Sequence, residues 1–414
     1  VKRILVIGGG PAGLAAAIHA ARIAVAVLIL ERNDQCGVKL LATGGGRANV
    51  GNLSPPEEWP ARFGRHGRFI LPALGFFPRK KLCDWLAGMG APVHSPDGFH
   101  LFPISNSAKE VRNALTNEAK RLGVEIRRNA RAEGFSPGEG GFSVSAGGRE
   151  FAADRVIIAT GGNSLPSSGS TWDGCRLAEA VGHRVRPAFP GLVGLCAANL
   201  DPALAGLVLP GAEVFFRPNG GKKTSGGREL LLTHSGISGP AVLDLSAAVA
   251  QALTAKRPAA VAVRIRWLSG MDRRAWLKKL EEWRTLRGAV AVSALLREFL
   301  PARLGCWLCR RAGIAEAANA AGLRAAGRDR LVELLAGFPA EITATEGWEK
   351  AMITRGGVEV RQVDPETLES RRVRGLHFAG ETLDVDGPCG GYNLHWAFAS
   401  GALAGTAAAK SFRY

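Results

Sequence analysis

The chain opens on a continuous apolar run, Ile4 to Ile7, the pattern of a strand buried on both faces of a parallel sheet. A Gly-rich turn, GGGPAG, follows, then LAAAIHAARIA, which reads as an Ala-rich helix, and AVAVLIL, a second buried strand closed by Glu31. Residues 141–153, GFSVSAGGREFAA, alternate as two short strands about Gly147-Gly148, and RVIIATGG reads as another buried strand. Near the end, Leu376 to Ala379 is an apolar strand running into Gly380 and Glu381, and GGYNLHWAFASG reads as the first turns of a helix. Between these parts the pattern changes. From about Pro187 to Leu268 short strands are separated by Gly and Pro, with VFFRPNGGKKTSGGREL a plausible hairpin around Asn219-Gly220. From Asp272 to about Leu335 helical periodicity dominates, as in RRAWLKKLEEWRTLRG, where Trp276, Leu280 and Trp283 share one face.

Composition narrows the class. With 414 residues, 46% hydrophobic and 21% charged, the chain can bury a sizeable core, and disordered, collagen-like and coiled-coil readings drop out. Gly is in excess, 54 residues, and falls in short runs that look like backbone sites. The formal charge of +17 raises nucleic acid and anionic membranes as partners. The surplus is diffuse, except that residues 251–300 carry eleven basic and four acidic side chains. The bland reading of the segment 273–287 is an amphipathic helix whose Trp stripe packs inward while Arg and Lys stay solvated; the sharp one is a nucleic-acid or membrane-surface helix. Seven scattered Cys argue against a disulfide framework, and Cys306 and Cys309, a lone C-x-x-C without further ligands, read as ordinary helix residues with no metal site. No cleavage-site pattern or membrane span is visible, so a soluble cytoplasmic protein is expected.

The turn at Gly8, Gly10 and Gly13 fits G-x-G-x-x-G in its full context of strand, turn, helix, strand and acid. Gly8 would make the tight turn, Gly10 would let a pyrophosphate approach, and Gly13 would allow the helix to pack on the sheet. The helix N-terminus, with Pro11 and Ala12, offers N–H groups and a positive dipole end to phosphates, and Glu31 would accept hydrogen bonds from ribose hydroxyls. This fingerprint serves NAD and FAD alike. The later strand ending in Ala159-Thr160-Gly161-Gly162 and the Gly380-Glu381 turn resemble features of flavoproteins with two dinucleotide-binding motifs, and so favour FAD.

A further motif, GVKLLATGGGRANVGN, sets three Gly before Arg47. The backbone N–H groups of such a turn suit phosphate or flavin carbonyl oxygens. Together with FPISNSAKEV, ATGGNSLPSSGSTWDG, THSGISGPAVLDLS, ITRGGVEV, DPETLESRRVRGLHFAGETLDVDGP and GGYNLHWAFASG, it closely resembles the BaiN-like (YhiN-type) NAD(P)/FAD-dependent oxidoreductases, nearly end to end. The resemblance implies a bound FAD, NADH or NADPH as transient reductant, and a small-molecule acceptor; one branch of the family reduces conjugated double bonds in oxidised bile acids. It also implies an α/β fold in which a Rossmann-like FAD-binding domain is discontinuous, 1–187 and 351–414, around an insert at 188–350, β-rich over 188–268 and helical over 270–345. The implied cofactor contacts are Gly8, Gly10, Pro11, Ala12, Gly13, Glu31, Arg32, Lys39, Gly44, Gly45, Gly46, Arg47, Asn49, Ala132, Thr160, Gly161, Gly380, Glu381, Gly391, Tyr392, Asn393 and Leu394. Two departures stand out: Ala48 replaces the usual Cys of GGGRCN, and His395 replaces a usual Gln after GGYNL.

Two histidines are candidate catalytic groups. His395 could donate a proton to a substrate carbon, against the alternative of a packed, hydrogen-bonded helix residue. His234, in LLLTHSGISGP, could line a substrate or flavin face, against a merely satisfied turn residue. Cys36 and Cys389 suggest a redox disulfide, but Cys36 has no partner within its own loop and no second G-x-G-x-x-G unit would hold a resident nicotinamide. The leading expectation is an oxidoreductase in which NAD(P)H reduces flavin N5 by hydride transfer and the reduced flavin reduces an organic acceptor, including an activated C=C bond. The alternatives are a flavoprotein acting on RNA, with nucleic acid the less favoured partner, and a non-catalytic flavin-binding redox sensor.

Overall fold

The computed structural model describes residues 2–412 apart from 24, 139, 218–223 and 256–259. The chain divides into two compact units, Val1–Pro190 with Met352–Tyr414, and Gly191–Ala351.

The first unit is built on a parallel sheet of five strands. These are β1 (Arg3–Ile7), β2 (Ala26–Leu30), β3 (Glu125–Arg127), β4 (Arg155–Ile158) and β5 (Leu376–Phe378), in the spatial order β5-β4-β1-β2-β3. The apolar runs form the central strands because helices and loops cover both faces; Ile4, Leu5, Val6, Ile157 and Ile158 are all buried. The order places the first and last segments of the chain side by side, since β4 pairs with β1 on one edge and with β5 on the other. The alternating segment forms a small antiparallel sheet, Ala132–Gly138, Gly141–Ala146 and Arg149–Ala153, turning at the expected glycines.

Two helices fix the geometry of this unit. Helix α1 (Pro11–Ala21) starts at the Gly turn, and α2 (Tyr392–Lys410) ends the fold. Both are apolar around nearly their whole circumference, the property of buried helices. They cross at backbone distance. A Cβ on Gly401 would stand 2.2 Å from the Ala12 carbonyl oxygen, and one on Gly405 2.1 Å from that of Ala16. Only residues without a Cβ on one helix and small ones on the other permit this approach.

The second unit is a closed six-stranded barrel: Leu195–Ala197, Gly236–Ser238, Thr224–Leu232, Val208–Phe216, Val261–Arg266 and Phe338–Thr345, which returns to the first strand. The predicted hairpin tip at Asn219-Gly220 lies outside the described residues. Within the range expected to be β-rich, the chain also forms a helix, Pro240–Thr254, beginning at the Pro of SGISGP. The range expected to be helical, 270–345, is corrected at its end: Phe338–Thr345 is the sixth barrel strand, its buried side Phe338, Ala340 and Ile342 alternating with exposed residues. The helix expected from Trp276, Leu280 and Trp283 is Arg273–Leu286, with all three buried. Its Lys279 pairs with Glu282 at 2.9 Å and its Arg284 with Glu281 at 2.6 Å. Cys306 and Cys309 lie on helix Ala302–Arg311, where burial pushes the Cys309 thiol up to about 12. Among the described residues no helix is long and apolar enough to cross a membrane.

The helix crossing is testable. Gly405→Ala and Gly401→Ala each place a methyl inside the van der Waals radius of a backbone oxygen, so each is expected to cost about 3 kcal/mol, outweighing the ~1 kcal/mol gain in helix propensity. Gly75→Ala is the control, since a Cβ on this exposed helical glycine meets nothing within 4 Å and is expected to be neutral or stabilising. Urea unfolding followed by circular dichroism reads all three; equal stabilities would refute the crossing.

Candidate functional site

The loops that follow the carboxyl ends of β1, β2, β4 and β5 carry most of the predicted cofactor residues, the position at which open α/β sheets bind ligands. At the first turn Gly8 has φ +103°, and a Cβ there would stand 2.7 Å from the Ala159 carbonyl oxygen on the neighbouring β4 segment. A Cβ on Gly13 would stand 1.9 Å from the Gly8 oxygen, whereas one on Gly10 meets nothing within 4 Å. So two glycines are required by packing and one opens the turn to a ligand. The first bond of the α1 ladder runs from Leu14 N to Gly10 O, so the N–H groups of Ala12 and Gly13 precede the ladder and point out of the helix end.

Glu31 is 6% exposed at the end of β2. One carboxylate oxygen accepts from Gly9 N (2.7 Å) and the other from Asn33 N (2.8 Å), while burial pushes its pKa above the usual range. The carboxylate therefore braces the Gly turn and keeps lone pairs for ribose hydroxyls. Arg32 is committed elsewhere: with Arg131 and Arg176 it converges on Asp173, at 3.2 Å for Arg32 and 2.8 Å for Arg131, and it also donates to Thr171 Oγ1. Ala132 lies beside the Glu31 segment, where Ala130 N donates to Glu31 O at 2.8 Å.

The second cradle is Lys39–Gly46, a run of tight turns ending in three left-handed residues, Gly44 (φ +57°), Gly45 (φ +66°) and Gly46 (φ +86°). A Cβ on Gly45 meets nothing within 4 Å. Arg47 donates from Nε to Gly44 O (3.1 Å) and stacks its guanidinium on Phe102 at 4.4 Å, so it braces the turn. Ala48 is fully buried.

Lys39 spans to the late motif. Its Nζ lies 2.7 Å from Glu381 Oε2 and 2.6 Å from Ser164 Oγ, and Glu381 also accepts from Thr354 N (2.6 Å). Gly380 is held by α2: its N–H donates to Ser400 Oγ (2.9 Å), and its carbonyl accepts from Trp396 Nε1 (3.3 Å). A Cβ on Gly380 would press on Ala12 Cβ at 2.8 Å, so this turn is wedged between the two helices. On the β4 loop Thr160 Oγ1 accepts from Gly174 N (3.0 Å), and Gly161 has φ +77°.

At the start of α2 the polar side chains of the predicted contact residues are engaged within the protein itself. Asn393 staples the preceding loop, accepting from Gly387 N and donating to Gly387 O, both at 2.8 Å. The Tyr392 hydroxyl is buried on Ser54 Oγ at 2.7 Å. Asn49, with its amide oriented to satisfy both atoms, donates to Gly51 O (2.7 Å) and accepts from Gly391 N (3.1 Å). Asn52 donates to Gly390 O at 2.7 Å. The ladder begins with His395 N on Gly391 O, which leaves the N–H groups of Tyr392, Asn393 and Leu394 at the helix end.

The candidate catalytic histidines have different surroundings. His395 is 2% exposed, its Nε2 donates to Phe77 O (3.0 Å), Trp59 stands edge-on at 5.1 Å, and burial lowers its pKa to about 4. It is a neutral imidazole inside the packing of α2. His234 belongs to the barrel unit, exposed on the turn between Thr224–Leu232 and Gly236–Ser238, where Gly236 N donates to Thr233 Oγ1 (3.1 Å). Sequence reasoning singled out none of Asn52, Ser164, Thr354 and Ser400 as site residues, although Thr354 stands in ITRGGVEV and Ser164 in ATGGNS.

The arrangement fits FAD. Two helix N-termini, two glycines open to a ligand, a bracing acid at the ribose position and the Lys39–Glu381 pair supply donors along an extended, doubly charged molecule. Cys36 is buried and its thiol is pushed up to about 12, by desolvation and then by Glu31. Both effects hold the thiol protonated, which argues against a reactive thiolate at that position.

Known proteins match over the same span. The family model described as HI0933-like protein Rossmann domain matches residues 2–407. A 3-dehydro-bile acid delta(4,6)-reductase of Clostridium scindens is 34% identical, covering 99% of this chain and 100% of that protein. A ribosomal RNA dihydrouridine synthase of Escherichia coli is 30% identical, covering 96% of this chain and 95% of that one. Among solved structures, 3-ketosteroid delta1-dehydrogenase from Sterolibacterium denitrificans superposes with a TM-score of 0.54 at 14% identity, covering 99% and 100%, a likeness of fold.

Glu31→Gln replaces one accepting oxygen by an NH2 that faces a backbone donor. FAD affinity, read by quenching of flavin fluorescence, is expected to weaken about tenfold or more. Iodoacetamide at pH 8, followed by peptide mass mapping, is expected to leave Cys36 unmodified in the folded protein and to label it after denaturation. Labelling in the folded protein would remove the argument against a redox thiol.

Proposed function

We propose that this chain, which belongs to the HI0933-like Rossmann family and is a flavoprotein oxidoreductase, uses bound FAD and a transient nicotinamide to saturate a C=C bond conjugated with a carbonyl group. The observation that carries the reading is the 34% identity, over 99% of this chain, to a protein named as a reductase of the 4,6-double bonds of a 3-keto acid. A dihydrouridine synthase forms the product of saturating the uracil C=C, which is also conjugated with a carbonyl, so the two relatives share one chemical step on different acceptors. When bound, the flavin supplies hydride exchange between nicotinamide and acceptor.

The chain's own residues have the remaining tasks. The N–H groups of Ala12 and Gly13 hold the pyrophosphate, Glu31 orients the ribose, and the Gly44–Gly46 turn presents donors to flavin oxygens. The N-terminus of α2 stabilises negative charge on the reduced ring. The acceptor is a small molecule. A uridine in RNA is the second reading, favoured by the +17 charge and by the second relative. It is weakened by Arg273–Leu286, where two of the cations are paired with carboxylates of the same helix.

Purified protein is expected to show a flavin spectrum, directly or after reconstitution with FAD, and to bleach anaerobically with NADH or NADPH. Reoxidation by cyclic enones but not by oxygen, quinones or ribosomal RNA transcripts supports the leading reading. Dihydrouridine in digested RNA transfers it to the second. A protein without flavin, or one that no nicotinamide bleaches, would sink both.

A further inference from the structure

Reduction of a conjugated C=C needs a proton at the carbon next to the carbonyl as well as hydride at the far carbon. His395 is sealed against Phe77 O inside the packing of α2 and is not placed to give it. The Tyr392 hydroxyl is buried on Ser54. A third imidazole stands at the start of α2. His100 opens the strand His100–Pro103, opposite Asn52 of the strand Gly51–Asn52.

Its preceding turn is built around Asp97. One carboxylate oxygen accepts from Phe99 N (3.0 Å) and His100 N (2.8 Å), and the other from His100 Nδ1 (2.6 Å). Chiefly through that imidazole bond, the Asp97 carboxyl is held well below the usual carboxylate range. With Nδ1 committed, Nε2 is the exchanging nitrogen. It lies 3.8 Å from the point a Cβ on Gly390 would occupy, and Phe99 Cε1 lies 3.2 Å from the same point. Gly390 adjoins the helix end assigned above to the flavin, and its carbonyl is fixed by Asn52. The His100 side chain is 30% exposed, so it can exchange protons with solvent.

We propose that His100 is the catalytic proton donor to the acceptor and that Asp97 is its positioning residue, an inference that rests on the C=C reductase reading. Hydride reaching the far carbon moves the π pair onto the carbon beside the carbonyl, and Nε2–H of the imidazolium completes the C–H bond there. The acceptor gains two electrons and two hydrogens, one as the hydride that a bound, reduced flavin would supply and one as the proton from His100, which takes a proton back from water. Asp97 holds Nδ1–H and so fixes the ring with Nε2 facing the Gly390 turn.

The test separates this step from the reading beneath it. In wild-type protein, bleaching by NAD(P)H and reoxidation by 2-cyclohexenone or 4-androstene-3,17-dione, whichever is faster, establish the reading; if neither enone reoxidises the flavin, the reading and this inference both fall. His100→Gln and His100→Asn are then expected to keep the FAD dissociation constant, the bleaching rate and reoxidation by ferricyanide within about twofold, while enone reoxidation slows by about 10² or more. Asp97→Asn is expected to slow only the enone step, by about tenfold, and to shift the His100 15N resonances of the free protein away from the Nδ1–H tautomer. Unchanged enone reoxidation in both His100 variants overturns the proposal. So does a parallel loss of FAD binding and bleaching, which marks a structural role, or loss of the enone step in Cys389→Ser with His100→Gln active.

Discussion

The approach of α1 to α2 is the constraint on which the cofactor site depends. The two helices come from opposite ends of the sequence, and their crossing has no room for a Cβ at Gly401 or Gly405. Close packing sets the position of both N-termini, and those N-termini carry the backbone donors of the site. The Gly380 turn lies in the same junction, with its N–H and C=O both bonded to α2 and its Cα face pressed on Ala12. A shift of one helix along the other would move the N–H groups of Ala12 and Gly13, the Gly380 turn and the N–H groups of Tyr392, Asn393 and Leu394 together.

The electrostatics of the site follow from this reliance on backbone. The arginines closest to the predicted contacts are neutralised or spent on structure: Arg32, Arg131 and Arg176 on Asp173, Arg355 on Asp386 at 2.8 Å, and Arg47 on its own turn. Lys39 is matched by Glu381. Negative charge on the ligand therefore meets fixed dipoles more than mobile cations, and fixed dipoles need no reorganisation when the charge on the ring changes.

What the sequence disclosed follows the range of the interactions involved. Local signals were legible: the apolar runs became β1, β2, β4 and β5, the alternation at 141–153 became paired strands, and Gly8 and Gly13 were assigned the tight-turn and packing roles that their surroundings give them. Partners far apart in the chain were not. Nothing near His395 announces that Phe77 O, 318 positions away, will cap its ring, and nothing near Asn52 announces Gly390. Phe338–Thr345 escaped for a related reason. It follows helix Ala325–Gly337 without a break, and its identity as a strand is fixed by pairing with Val261–Arg266 and Leu195–Ala197. His100 was passed over because its significance comes from Asp97 on one side and Gly390 on the other, not from a motif.

A cradle made of main-chain donors tolerates replacement of side chains so long as the glycines and helix ends stay in place. Relatives 34% and 30% identical to this chain carry names as different as a bile acid reductase and a ribosomal RNA dihydrouridine synthase. Under the proposed function, acceptor choice falls to side chains beside the Gly390 turn that do not brace it, and Leu53, Phe99 and His100 are of that kind. They surround the strand Gly51–Asn52 and the Gly390 turn, Leu53 is 39% exposed, and Phe99 and His100 meet edge to face at 4.8 Å.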